Sequence, residues 1–501
     1  MKKFILLAII VVSCNTKTKT TQKPFNKLAN LIDTYAVHTL NKGNINSIAL
    51  AIYKNGELHY NYFGELDKGK NNTPNDSTLY EIASITKIFT GSLAAKAVLD
   101  KKIRLDDDIR KYLNDDYLNL EFEKTPITIQ NLLTHSLGFK NKHPKQFSSI
   151  NDKIAEGFYI NKTIDYNFDN FLEELKHMEL DKKPGTFFEY NSVGPELMAY
   201  ILQKVYQKEY KEILYSFLKE LGMNNTYLKD FEKHKKYIAT GYGAKNELVP
   251  LYKNPLIGGA GGMISTLPDL IKLLKFQLES KQPLVKEATR RLFKNEETNM
   301  GYLWQDLGIG QEEGFYYSKT GNSLRIQSGI LICPDSNYGE IMIINNNSDA
   351  ANNDYFDLFY TIETDLIKYP KINLKSYLKQ DFLRDKKIAK QKFNQLKTDS
   401  KNYFNTDLSN SLNKIGYELL EEKHTKKAIE IFEFAVTEDP ENANLYNSLA
   451  EGYFESKELE KAKKSYLKSL MLNDKKENPN QFLIKNGKSN LKKIDSLLKI
   501  N

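Results

Sequence analysis

The chain is poor in cysteine, tryptophan and arginine: two Cys, one Trp and six Arg stand among 501 residues. Two cysteines cannot build a disulfide framework or a thiolate metal cage. Six arginines beside 66 lysines suit base-edge reading badly, because the bidentate guanidinium fork dominates there, so no nucleic-acid partner is expected. The seven histidines are scattered and no H-E-x-x-H occurs, so neither a metal nor another cofactor is called for. Beyond the N-terminus there is no run of 18 apolar residues, which excludes a polytopic membrane protein.

What remains is 40% hydrophobic and 27% charged, enough to bury real cores and too apolar for a disordered chain. At about 150 residues per domain, this length suggests about three units. The net charge of +8 is unevenly spread. Residues 371–501 hold 26 Lys+Arg and 19 Asp+Glu, a net of +7, whereas residues 1–370 hold 46 and 45, a net of +1. A near-neutral first part and a basic second part imply two modules with different work. The basic part reads as lysines on solvated helices or as a surface for an anionic partner.

Lys2 and Lys3 precede nine apolar residues, Phe4 to Val12. As a helix this run reaches about 14 Å, far short of the ~30 Å hydrocarbon core, and so reads as a secretory leader. Val11-Val12-Ser13-Cys14 resembles the lipobox of bacterial lipoproteins. That resemblance implies a leader over residues 1–13, lipid on Cys14, and a polar tether over 14–24. It places the protein in the cell envelope, periplasmic or outer-membrane facing, touching the membrane through its N-terminal lipid only. Cys333 is then alone, in the strand-like run Ile330-Leu331-Ile332-Cys333, and reads as a small buried apolar residue.

Ile45 to Asp67 alternates apolar and polar residues around Asn55-Gly56, a hairpin signal. Gly314–Thr320, Leu324–Cys333 and Glu340–Asn345 repeat the strand pattern far downstream, and Asn353–Tyr369 reads as a closing helix. Two early and three late strands share one sheet if the ends of the module meet. The expected class is therefore α/β over residues 25–370: an antiparallel sheet of five or more strands, flanked by helices and carrying a helical insertion.

Three short motifs fall in this span. Ser84-Ile85-Thr86-Lys87 opens a helical pattern running to about Leu99; Tyr190-Asn191-Ser192 precedes a second helical run; Lys319-Thr320-Gly321 ends the first of the late strands. S-x-x-K alone says little, since it occurs seven times, whereas K-T-G occurs once. Their joint order, spacing and setting carry the weight. Over about Phe25 to Tyr369 the chain resembles the serine β-lactamase and penicillin-binding-protein superfamily, in its class C-like branch with a catalytic Tyr. Leu132-Leu133-Thr134-His135-Ser136-Leu137-Gly138 and Gly258–Thr266 followed by Asp269-Leu270 are similar to further stretches of that family.

A serine hydroxyl is a poor nucleophile until a neighbouring base takes its proton. Residues 84 and 87 are three apart and share a face on one helix. An ammonium becomes a base only when desolvation and nearby positive charge lower its pKa, and Lys319 is placed to supply such charge. The resemblance implies that Tyr190 relays the Ser84 proton, as phenolate or through Lys87, and leaves open which of the two is the base. It implies that Lys319 and Thr320 orient a substrate carboxylate and hold the Tyr190 oxygen. Gly321 lets the strand backbone come close to substrate. The N–H groups of Ser84 and Asn322 would form an oxyanion hole, each donor worth about 3 kcal/mol. His135 is structural in the family. One position departs from it: Ser192 stands where the family carries Asn, which offers more hydrogen-bonding groups.

The expected function is a secreted, lipid-anchored serine hydrolase that forms an acyl-enzyme with amide or ester substrates: D-amino-acid peptides, peptidoglycan-related peptides, β-lactams or small esters. The alternative is a penicillin-binding-like sensor or partner-binding protein with little turnover. Selectivity is expected in the loops 141–170 and 228–256.

Past a helical linker (371–405), the chain repeats itself. Leu412, Ile415, Gly416, Leu419, Ala428, Phe432, Ala435 and Pro440 recur 34 residues later as Tyr446, Leu449, Ala450, Tyr453, Ala462, Tyr466, Ser469 and Asp474. This resembles two tetratricopeptide repeats over 406–476, closed by a capping helix within 477–501. Leu374–Leu396 and Asn490–Ile500 read as helices that cap the array or dock it on the hydrolase. The repeats offer a groove for a peptide or protein partner, or form a helical appendage.

Overall fold

Asn55 and Gly56 both take positive φ, 53° and 88°, the geometry of the two-residue turn whose twist matches paired strands. They join strand β1 (Ser47–Lys54) to β2 (Glu57–Gly64), paired from Ser47↔Gly64 to Lys54↔Glu57. The computed structural model describes residues 24–157, 163–296, 298–373, 378–379, 381–383, 385–396, 403–404, 408–476 and 478–499. The expected leader, Cys14 and the tether up to residue 23 lie outside the described residues.

Four strands from the far end complete the sheet: β3 (Gln305–Gly310), β4 (Gly314–Asn322), β5 (Gln327–Cys333) and β6 (Tyr338–Ile344). The order is β3-β4-β5-β6-β1-β2 and every pairing is antiparallel. β6 lies along β1 from Ile48↔Ile344 to Lys54↔Tyr338, so the two ends of the module meet as expected. The edge strand β3 escaped the sequence reading, because Gln-Asp-Leu-Gly-Ile-Gly alternates poorly and its register is broken between Gln305 and Gly308.

Both faces of the central strands are covered. Ile48, Leu50 and Ile52 alternate to one side, where Met342 and Ile344 join them against helix α1 (Pro24–Asn41). Ala49, Ala51 and Tyr53 face the other side and meet the main core with Ile330, Ile332, Ile341 and Ile343. Each such aliphatic side chain contributes roughly 1.5–3 kcal/mol on burial. Helix α2 (Thr86–Leu99) is buried nearly all round, as befits a helix through the middle of a core. Helix α3 (Val193–Tyr206) packs on it, and α4 (Leu267–Glu279) packs on the sheet. The closing helix α5 (Asp349–Leu366) begins four residues before the expected Asn353, because the Ser348 hydroxyl accepts from the Ala351 N–H at 3.2 Å and caps it there.

The second module is helical: α6 (Leu408–Glu421), α7 (Thr425–Glu438), α8 (Ala443–Glu455), α9 (Leu459–Asp474) and α10 (Gln481–Leu498). Gly416 lies against the Phe432 ring, and a Cβ there would come within 2.3 Å of it. That close approach is what the recurring small residues permit. The linker belongs to this module: Phe393, on its helix Lys386–Leu396, and Phe382, just before that helix, pack on Phe434 with ring centroids 5.1 and 5.9 Å away. It therefore caps the array; residues 374–377, 380 and 384 of the expected helix lie outside the described residues. α10 starts nine residues before the expected Asn490, where the Asn480 side chain accepts from the Phe482 N–H at 2.9 Å. No described helix is long and apolar enough to cross a membrane.

Candidate active site

Ser84 stands on the tight turn Ala83–Ile85 that feeds α2, one step outside the helix itself. Ala83 takes φ 45°, a left-handed conformation costly to a residue with a Cβ, so the turn that presents the hydroxyl stores strain. Lys87, in the first turn of α2, is buried, and its Nζ donates to Ser84 Oγ at 3.1 Å and to the Ala260 carbonyl at 2.6 Å.

Tyr190 arrives from the loop ahead of α3. Its ring has the Lys319 Nζ 4.7 Å from the centroid, the Lys87 Nζ at 5.1 Å and the Lys142 Nζ at 5.9 Å. Lys319 also donates to the phenol oxygen at 3.4 Å, and to the Gln305 side-chain carbonyl on the edge strand. The His135 ring lies tilted on the phenol ring, centroids 4.6 Å apart. Its Nδ1 accepts from the Asn191 N–H at 3.4 Å. Asn191 in turn accepts from the Gly194 N–H at 3.0 Å and so starts α3.

The electrostatics follow from this crowding. Burial alone would raise the Tyr190 phenol, but the Lys87 and Lys319 ammonium groups and hydrogen bonds with Ser84 and Lys87 more than offset it, bringing it down to about 7. Burial brings Lys319 down to about 8, with Lys87 lowering it further and Tyr190 opposing. These two groups interact strongly and titrate as a pair. Burial, reinforced by Lys319, Lys87 and Lys142, holds His135 well below the ordinary imidazole value, so it is a neutral wedge and no base at neutral pH. His143, whose Nε2 accepts from the Ser192 N–H at 3.3 Å, is brought down to about 4 by burial and by Lys142 and Lys87.

The structure brings Ser84, Lys87, Tyr190 and Lys319 together, over 236 positions of chain (319 − 83). Gly321 is required by a neighbour within the fold: a Cβ there would sit 2.4 Å from the Ile82 carbonyl and 2.5 Å from the Ser328 hydroxyl. This contact sets β4, and Asn322 with it, beside the turn that carries Ser84. Of Lys319 and Thr320, it is Lys319 that hydrogen-bonds the phenol oxygen. Tyr317, Lys319 and Gly321 are buried on one side of β4, and Thr320 alternates to the other, where with Ser318 and Lys319 it borders a cavity reaching Tyr355, Phe359 and Tyr360. Ser192 occupies the position before α3 without capping it. Ala260, Gln305, Lys142 and His143 were not named from the sequence; Ala260 lies in the Gly258–Thr266 stretch and Lys142 and His143 in the 141–170 loop, both already distinguished there, while Gln305 carried no signal.

A sheet in which the two ends of the module pair, with a serine, two lysines and a tyrosine gathered beside its inner strand β4, has the fold of a class of serine hydrolases. The β-lactamase family model matches residues 29–360, and a tetratricopeptide-repeat model matches residues 419–478. The chain belongs to the β-lactamase family. It is 30% identical over 328 residues to Protein flp of Staphylococcus aureus, a match covering 64% of this chain and 63% of the relative. It is 25% identical over 278 residues to a β-lactamase of Providencia stuartii, covering 55% and 65%. The chain thus spans less than two thirds of the length of these curated relatives. Among solved structures, it is similar to an octameric penicillin-binding protein homologue from Pyrococcus abyssi (TM-score 0.56, 24% identity, 66% of this chain and 76% of that one). It is also similar to a class C β-lactamase (TM-score 0.57, 20% identity, 69% and 98%). These structural likenesses concern the fold.

Proposed function

We infer that the chain is a lipid-anchored envelope hydrolase that acylates Ser84, with Tyr190 as its base. One observation carries this reading: a buried phenol brought down to about 7, with the Lys319 and Lys87 ammonium groups 4.7 and 5.1 Å from its ring, Lys319 donating to its oxygen at 3.4 Å and Lys87 donating to the Ser84 hydroxyl at 3.1 Å. At neutral pH the phenolate takes the proton from Ser84 Oγ as that oxygen attacks the substrate carbonyl. The oxyanion gathers on the N–H groups of Ser84 and Asn322. The phenol returns the proton to the leaving nitrogen or oxygen. In the second half a water gives one proton to the Tyr190 phenolate and its hydroxide to the acyl carbon, and the phenol returns that proton to Ser84 Oγ as the acyl C–O bond breaks and the acid leaves. Lys87 and Lys319 hold the phenolate charge whenever the phenol has given up its proton.

Three ammonium groups around the phenol, Lys87, Lys319 and Lys142, favour substrates with a carboxylate near the scissile bond. D-amino-acid peptides and β-lactams fit that description better than neutral esters. The repeats extend the reading to a partner. Tyr417 on α6 bonds Ser448 and Glu451 on α8, and Glu451 accepts from Asn486 on α10. A polar seam thus crosses the first helix of each hairpin, a surface for a polar peptide segment.

Labelling with a fluorescent penicillin and a fluorophosphonate tests this directly. The expected result is one adduct, absent in Ser84→Ala, whose penicilloyl form decays with time. Labelling that persists indefinitely identifies a trap or sensor and overturns turnover; labelling unaffected by Ser84→Ala overturns the site.

A further inference from the structure

Glu196 carries a carboxylate in the middle of the core. It sits in the first turn of α3, six residues after Tyr190, and is fully buried. Its Oε2 accepts from the N–H groups of Gly258 (2.8 Å) and Gly259 (3.2 Å). Its Oε1 accepts from the Ala260 N–H (3.1 Å) and the Asn254 amide (2.9 Å). Three successive backbone donors on one carboxylate give a loop a single shape. The loop is also gripped from α2, three residues beyond Lys87: the Thr90 hydroxyl donates to the Gly259 carbonyl at 2.7 Å. Between these two grips the Ala260 carbonyl faces inward and takes the Lys87 ammonium at 2.6 Å.

We propose that Glu196 is a positioning residue for catalysis: by seating residues 258–260, it aims the Ala260 carbonyl that pins the Lys87 ammonium between the Ser84 hydroxyl and the Tyr190 ring. A buried carboxylate needs its oxygens met by donors, and three of the four donors here are successive N–H groups of this loop, the fourth being the Asn254 amide. Glu196 touches neither substrate nor the reacting atoms and works through the loop. The inference rests on the reading of Tyr190 as base. The groups that face the phenol are Lys87 from α2, Lys319 from β4, and Lys142 and His135 from the loop after residue 133. Of these, Lys87 alone is tied to the 258–260 loop.

Glu196→Gln keeps the shape but turns an NH2 group towards N–H donors, which loosens the loop. The experiment uses the full chain, counts active sites with the fluorophosphonate, and follows the acylation rate per site against pH. A parallel readout is phenolate absorbance near 295 nm, taken as the difference from Tyr190→Phe. The expected result is a roughly 10²-fold slower acylation, the scale of a 1 Å misplacement, with the rise of rate and the phenolate midpoint both moved to higher pH. Thr90→Val, which releases the loop from its other side and leaves Glu196 in place, moves both in the same direction even where Glu196→Gln gives little folded protein. A rate per site, a pH profile and a phenolate midpoint unchanged in the folded variants overturn the proposal. Should Tyr190→Phe itself keep the parent's rate and profile, the reading of Tyr190 fails instead, whatever Glu196 does.

Discussion

The Lys319 Nζ lies 3.4 Å from the phenol oxygen of Tyr190, across 129 positions of sequence. With Lys87 on the other side, it converts an ordinary phenol into a group that is half ionised at about pH 7. Lys319→Met removes that charge and raises the phenol. Since the ionised form is the base, the acid limb of acylation moves to higher pH, and the rate at pH 7 falls about tenfold for each unit of movement. A pH profile of fluorophosphonate labelling measures it.

Tyr190→Phe keeps the ring on His135 and deletes the oxygen. Acylation is expected to fall by about 10²–10⁴, the usual worth of a general base, with thermal stability little changed. Stopped-flow labelling beside calorimetry separates the two effects.

Gly321→Ala pushes a methyl at the Ile82 carbonyl, which is backbone and cannot swing aside. The strand must give, and it carries Lys319 two residues away. Labelling is expected to drop about 10²-fold while the protein stays folded, as read by circular dichroism and active-site titration.

His143 adds a pH dependence of stability. Its folded-state value of about 4 lies below its ordinary 6.5, so the unfolded chain takes up the proton first as pH falls. Its contribution is therefore complete above about pH 6.5 and is lost progressively down to about 4. Thermal unfolding between pH 7.5 and 4 is expected to show a shallower fall in His143→Gln, whose side-chain oxygen can still accept from the Ser192 N–H.

The repeats stand on their own close contacts. Gly416→Val brings a Cβ, with its two methyls, against the buried Phe432 ring and is expected to cost about 2 kcal/mol in the second module. Limited proteolysis should then cut within residues 408–498 while Ser84 labelling is kept.

Much of this fold could be read from the chain, and the reasons are local. Asn55-Gly56 announces its hairpin because only residues tolerant of positive φ make that turn, and Gly416 and Ala450 announce the repeats because helix contacts select small side chains. The four site residues were legible through motifs whose spacing reflects chemistry. The loop that holds Lys87 was half legible: Ala260 lay in a noted stretch, but its carbonyl has no side-chain signature. Gln305 was invisible, since a polar residue on an edge strand looks like any solvated one, and Lys142 was legible only as part of the 141–170 loop. Lys319 and Thr320 are neighbours in the motif, but a strand sends neighbours to opposite faces, and it is Lys319 that meets the phenol.

The most direct test of the account is the second-order rate of Ser84 acylation by a fluorophosphonate, measured from pH 5 to 9 in the parent and in Tyr190→Phe. The account predicts a rise with a midpoint near 7 in the parent and a slow, nearly flat profile in the variant. A rise of the same midpoint and amplitude in Tyr190→Phe would contradict it.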